Sequence, residues 1–154
     1  MKIILLMSII LLLFACGNTN NVAKIPPLVN LVVQQDKYSL IFKHEFYNNF
    51  EVNDKNLAKF IVKTNLKFNT SSALSNNGSN KLNIVKGTVD FKIFNKIDSK
   101  IIKTGSISSS INTGNVSSLY SIDENNNFAK ERIAKYLASK LYRKILLNTY
   151  TSEN

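Results

Sequence analysis

The sequence predicts an α+β fold: an antiparallel sheet of about four strands packed on one long C-terminal helix and a second, short helix, in two layers. Three observations carry that expectation. Val62 to Thr70 alternates apolar and polar side chains strictly, and Val85 to Ile93 does the same, as half-buried strands should. Between them lies Ser75-Asn76-Asn77-Gly78-Ser79-Asn80, and Asn-Gly is the strongest short hairpin signal. Downstream, Ile133, Ala134, Leu137, Ala138, Leu141, Tyr142, Ile145 and Leu146 recur at helical spacing, with Lys135, Ser139, Lys140, Arg143 and Lys144 opposite. A helix of that pattern packs on a sheet and turns a basic back to solvent.

The remaining elements follow in order. Leu28 to Val33 is a short apolar run, and Tyr38 to Tyr47, rich in aromatic and branched residues, reads as a first strand. Asn53 or Asp54 is placed to cap a short helix carrying Leu57, Phe60 and Ile61. A two-residue turn centred on Asn77-Gly78 makes facing residues of the hairpin sum to 155. Val62 then meets Ile93, Leu66 meets Val89 and Phe68 meets Gly87, all on one face. Asn95 to Ser99 reads as a turn and Lys100 to Ile111 as the last strand. Its alternation slips near Gly105, which suggests a bulge there. Ser121-Ile122-Asp123-Glu124 has the form of a capping box opening the C-terminal helix.

The N-terminus is of another kind. Lys2 supplies one positive charge, and Ile3 to Ala15 is hydrocarbon broken only by Ser8. That is the build of a signal peptide, too short for the roughly 20 apolar residues that span a bilayer. It ends in Leu13-Phe14-Ala15-Cys16, and Cys16 is the only cysteine of the chain, so it has no disulfide partner within it. Leu-x-Ala-Cys resembles the lipobox of bacterial lipoproteins. The resemblance implies a diacylglycerol on the Cys16 thiol, cleavage before Cys16, and an acylated new amino terminus. Residues 1–15 then form the signal peptide, 16–27 a lipidated N-terminus and polar tether stiffened by Pro26-Pro27, and 28–150 a single α+β domain. Several acyl chains give stable anchoring where one alone is marginal. Gly17, rather than Asp, follows the cysteine, so the default destination is the outer membrane, facing the periplasm. In an organism with a single membrane the same anchor leads to the cell surface.

The whole chain of 154 residues carries 20 basic against 10 acidic residues, a formal charge of +10. A basic surface favours an anionic partner, and export argues against nucleic acid. Eighteen of the basic residues are Lys and only Arg132 and Arg143 are Arg. Biased codons produce that composition too, so only charges clustered by geometry are read as functional. In the hairpin register Lys63 lies opposite Lys92, Asn65 opposite Asp90, Lys67 opposite Thr88 and Asn69 opposite Lys86. Like charges directly across a strand pair are unfavourable. Lys63, Lys67, Lys86 and Lys92 therefore form a candidate basic face for phosphate, from lipopolysaccharide or from an acidic partner wall.

From Gly87 to Leu147 the order of features is more specific: a strand, a turn at Asp98, and a strand marked by Gly105 and Ser110. The Tyr120-Ser121 segment follows, and a helix with Ala129, Glu131, Arg132 and Ala134 ends in basic residues. This course resembles the LPS-assembly lipoprotein family (LptE). The resemblance implies an outer-membrane lipoprotein that plugs a large β-barrel LPS-assembly protein and helps deliver lipopolysaccharide to the cell surface. No enzyme, cofactor or metal is expected. His44 is the only histidine, the serines of 106–110 lack a Gly-x-Ser-x-Gly elbow, and no phosphate loop or metal-ligand spacing occurs. Asp123 and Glu124 suit a helix start better than an acid/base pair. The other reading is a periplasmic ligand-binding or inhibitor lipoprotein with no barrel partner.

Overall fold

A computed structural model describes residues 29–49, 58–74, 81–113 and 119–151. The elements run β1 (Val29–Val32), α1 (Lys37–Asn48), β2 (Phe60–Leu74), β3 (Lys81–Asn95), β4 (Ile101–Thr113) and α2 (Leu119–Thr151). The strands make one sheet in the order β1-β2-β3-β4. The two helices cover one face of it, giving the expected two-layer α+β arrangement.

The hairpin forms in the register that the sequence dictates. Val62 pairs with Ile93, Lys63 with Lys92, Leu66 with Val89 and Phe68 with Gly87. The pairing continues outward to Phe60 with Asn95 and to Leu74 with Lys81, and the Asn77-Gly78 turn itself lies outside the described residues. Alternation decides which side faces the core. Val62, Leu66, Val85, Val89, Phe91 and Ile93 are buried, and they meet Ile133, Ala134, Leu137, Ala138, Leu141 and Ile145 of α2. Gly87 lets this contact close, because a Cβ there would overlap Ile133 Cγ2. Lys135 and Arg143 lie exposed on the far side of α2, while Lys140, also exposed, stands on its flank above β4 and bonds the Ser108 carbonyl.

Five expectations need correction. Residues 38–47 are not a strand but most of α1. Asp36 takes the N-cap, its carboxylate accepting the amides of Tyr38 and Ser39 at 3.0 Å each. Burial alone would raise the Asp36 pKa, but hydrogen bonds from Ser39 and Tyr38 outweigh it and hold the carboxyl below its ordinary value. Ser39, Phe42 and Phe46 are the buried positions, a three-four spacing that only a helix can face inward. Packing thus overrides the strand preference of the aromatic and branched residues.

The first strand is instead the shorter run Val29–Val32, and it pairs parallel with β2, Leu31 beside Val62. The sheet is therefore mixed rather than antiparallel throughout, since α1 crosses over and returns the chain in the same direction. Tyr47 fastens this unit by accepting the Leu31 amide on its hydroxyl at 2.8 Å. Burial raises the Tyr47 pKa, opposed in part by that bond. Tyr38 ties α1 to α2 through a hydrogen bond to Asn127 Oδ1 at 2.9 Å. An ion pair of Lys37 with Glu131 at 2.8 Å adds to the same contact.

Phe60 and Ile61 open β2 rather than sitting on a short helix, while Asn53, Asp54 and Leu57 lie outside the described residues. The irregularity in β4 is also displaced. Gly105 pairs regularly with Phe91, and the register shifts at the step Ile93/Phe94, opposite Ile101 to Lys103. Gly105 serves a different purpose, because the Phe91 ring lies where its Cβ would be. The 95–99 turn forms as expected: Asn95 Oδ1 accepts the Ile97 amide at 2.9 Å, and Ser99 adopts the left-handed region at φ 56°. Ser121 to Glu124 fall inside α2, which is already helical from Leu119.

Candidate functional site

The outer face of the sheet, away from the helices, carries the even row of β3 and β4 and the odd row of β2. All four lysines singled out from the sequence lie on it, exposed: Lys63 and Lys67 on β2, Lys86 and Lys92 on β3. They do not converge on one point. Lys86 sits between Asn69 and Ser110, six residues from Lys92 and so roughly 20 Å away along the strand. Lys67 Nζ is 3.8 Å from Asp90 Oδ2, a diagonal partner that direct-opposite pairing does not reveal. Lys63 and Lys92 do face each other, and the repulsion is met by geometry: Lys63 Nζ stands 5.1 Å from the centroid of the Phe94 ring, a cation–π contact.

Between these two lysines lies a depression of about 590 Å³, walled by Asn65 and Asp90 and by Thr104 and Ser106 of β4. Its polar groups are two ammoniums, one carboxylate already near Lys67, an amide and two hydroxyls, set on a lining that is mostly hydrocarbon. Such a set can hold a phosphorylated or hydroxyl-rich group. Phe94 and the hydroxyl wall of β4 escaped the sequence reading of the site. Phe94 shares the parity of Lys92 and Asp90, so an aromatic on the polar face was the available signal.

His44 lies exposed on α1, not in a strand, and Cys16 lies outside the described residues. Among the described residues no three or more of His, Cys, Asp and Glu gather as a metal-binding group. No helix among them is long and apolar enough to cross a membrane.

A four-stranded mixed sheet with both helices on one face and lysines on the other defines a two-layer α+β class, and that class occurs in known proteins. A Caulobacter crescentus protein assigned as a lipoprotein superposes with a TM-score of 0.62 at 13% identity, covering 82% of this chain and 93% of that one. A minor lipoprotein of Acinetobacter baumannii gives 0.56 at 16% identity, over 79% and 93%. Rare lipoprotein B of Shewanella oneidensis gives 0.51 at 11% identity, over 82% and 98%. At these identities the likeness is one of fold. No family model matches the chain, and no curated protein matches it.

Proposed function

We propose that this chain is an outer-membrane lipoprotein, anchored through Cys16 on the periplasmic side. In this reading it is the plug and accessory subunit of a large β-barrel translocon that inserts lipopolysaccharide into the outer leaflet. It acts by binding, not by catalysis. The observation that carries this reading is the bare sheet face. Its Lys, Asn, Ser and Thr rows are covered by no other layer among the described residues, and the lumen of a large barrel is polar and wet. A domain built to sit in such a lumen needs a polar exterior on every side, which the basic back of α2 continues. The fold shared with three bacterial lipoproteins and the resemblance of 87–147 to the LPS-assembly lipoprotein family support the same conclusion.

Lysines 63 and 92, with Lys67 and Lys86 as outlying charges, are assigned to phosphate, from lipopolysaccharide or from an acidic wall of the barrel. Replacing Lys63 and Lys92 together with Gln should leave stability within about 0.5 kcal/mol, because both are exposed surface positions. Lipopolysaccharide binding should fall and lose part of its salt dependence, since exposed charge pairs are screened. Unaltered binding by the double variant at low salt would remove these lysines from the site. The anchor is tested separately. Cys16→Ser should abolish metabolic palmitate labelling, and wild-type labelling of that variant would contradict the lipobox.

A further inference from the structure

The two edges of the sheet are treated differently. β1 is four residues long, and Tyr47 closes it by accepting the Leu31 amide. β4 is thirteen residues long, and the described residues place no strand beyond it. From Thr104 to Thr113 its sequence is TGSISSSINT, with no charge and no proline, and its register with β3 is unbroken over that length. Natural edge strands are normally blunted by such devices, because a flat row of unpaired amides and carbonyls invites another strand.

Above this edge runs a ridge of α2 at four-residue spacing: Phe128, Arg132, Tyr136 and Lys140. Phe128 and Tyr136 are 61% and 57% exposed. Each carries a cation beside its ring, Arg132 at 5.8 Å from the Phe128 centroid and Lys140 at 5.9 Å from that of Tyr136. The ridge leans over the strand. Lys140 Nζ donates to the Ser108 carbonyl at 3.2 Å, and Phe128 and Arg132 border a recess of about 160 Å³ together with Ile111 to Thr113.

We propose that the outer edge of β4 is a docking site for an extended, acidic segment of a partner protein, which adds a fifth strand beneath the Phe128–Lys140 ridge. Main-chain hydrogen bonds along Thr104–Thr113, with the added strand taking the Ser108 carbonyl over from Lys140, would supply affinity, and side chains alternating along it would supply specificity. Charge decides the partner. The added strand runs under Arg132 and Lys140, so carboxylates on its helix-facing side complement them. A second copy of this chain would bring the same cations together across the joint, and with a formal charge of +10 on each chain that pairing is opposed. The proposal does not depend on the barrel reading, since any acidic strand qualifies.

The test uses the full chain in detergent with a fluorescent ten-residue peptide alternating threonine and glutamate. Saturable binding is expected, with slowed amide exchange in 104–113. The same peptide N-methylated at every amide, with no donor left on either edge, should bind at least tenfold more weakly. A peptide with lysine in place of glutamate should not bind. Arg132→Glu with Lys140→Glu should weaken the glutamate peptide at least tenfold. Because the peptide comparisons use the unmutated chain, a variant that misfolds does not decide the question. No saturable binding by the glutamate peptide, or equal binding by its N-methylated form, would overturn the proposal. So would cross-linking of β4 to β4 between two copies of the chain.

Discussion

Replacing Phe91 by alanine should destabilise the protein by about 3–5 kcal/mol, the range for removing a fully enclosed aromatic side chain. Phe91 is 2% exposed, and its surroundings are built around the ring rather than merely near it. Gly105 on β4 offers a flat seat with no Cβ, and the Lys144 ammonium stands 5.4 Å from the ring centroid on the helix side. Truncation leaves the glycine facing a void that neither backbone can move to fill, because both strands are fixed by their ladder. Equilibrium denaturant unfolding measures the loss. A change below about 1 kcal/mol would mean that the ring is not enclosed as described. Gly105→Ala provides the converse, since the added methyl must displace the ring, an overpacking change that typically costs about 1–3 kcal/mol.

Leu137→Ala should cost about 2–5 kcal/mol. The side chain is fully buried and packs on the sheet where Gly87 brings β3 close to α2. Lys140→Ala, three residues on, should change stability by no more than about 0.5 kcal/mol, because that side chain is exposed and its bond to Ser108 lies at the surface. The pair tests the orientation of α2 on the sheet through the same unfolding measurement. Equal effects would mean that the helix is rotated about its axis.

What could be read from the residues alone depended on how local the deciding interaction was. The β2–β3 register was legible because two strictly alternating runs flank an Asn-Gly, so face and pairing are set within some thirty residues. The buried stripe of α2 was legible for a similar reason, as eight apolar positions share one helical face. Tyr38 to Tyr47 misled because its residue types favour strands, while Ser39, Phe42 and Phe46 obey a helical spacing. The contacts that settle the matter, with Asn127 and Tyr142 of α2, are remote in sequence. The parallel pairing of β1 was equally hidden, since a four-residue strand carries too little pattern to choose a partner. At the candidate site, the facing of Lys63 and Lys92 followed from register alone. The diagonal pairing of Lys67 with Asp90 and the turn of Lys63 towards Phe94 depend on side-chain direction, which register does not specify.

The barrel-plug account is tested most directly by what accompanies the protein out of the membrane. The affinity-tagged full chain, extracted from envelopes in mild detergent, should co-purify in a stable complex with an outer-membrane protein several times larger. Isolation of the chain as a monodisperse monomer with no such companion would contradict the account and favour a free periplasmic inhibitor or ligand-binding lipoprotein.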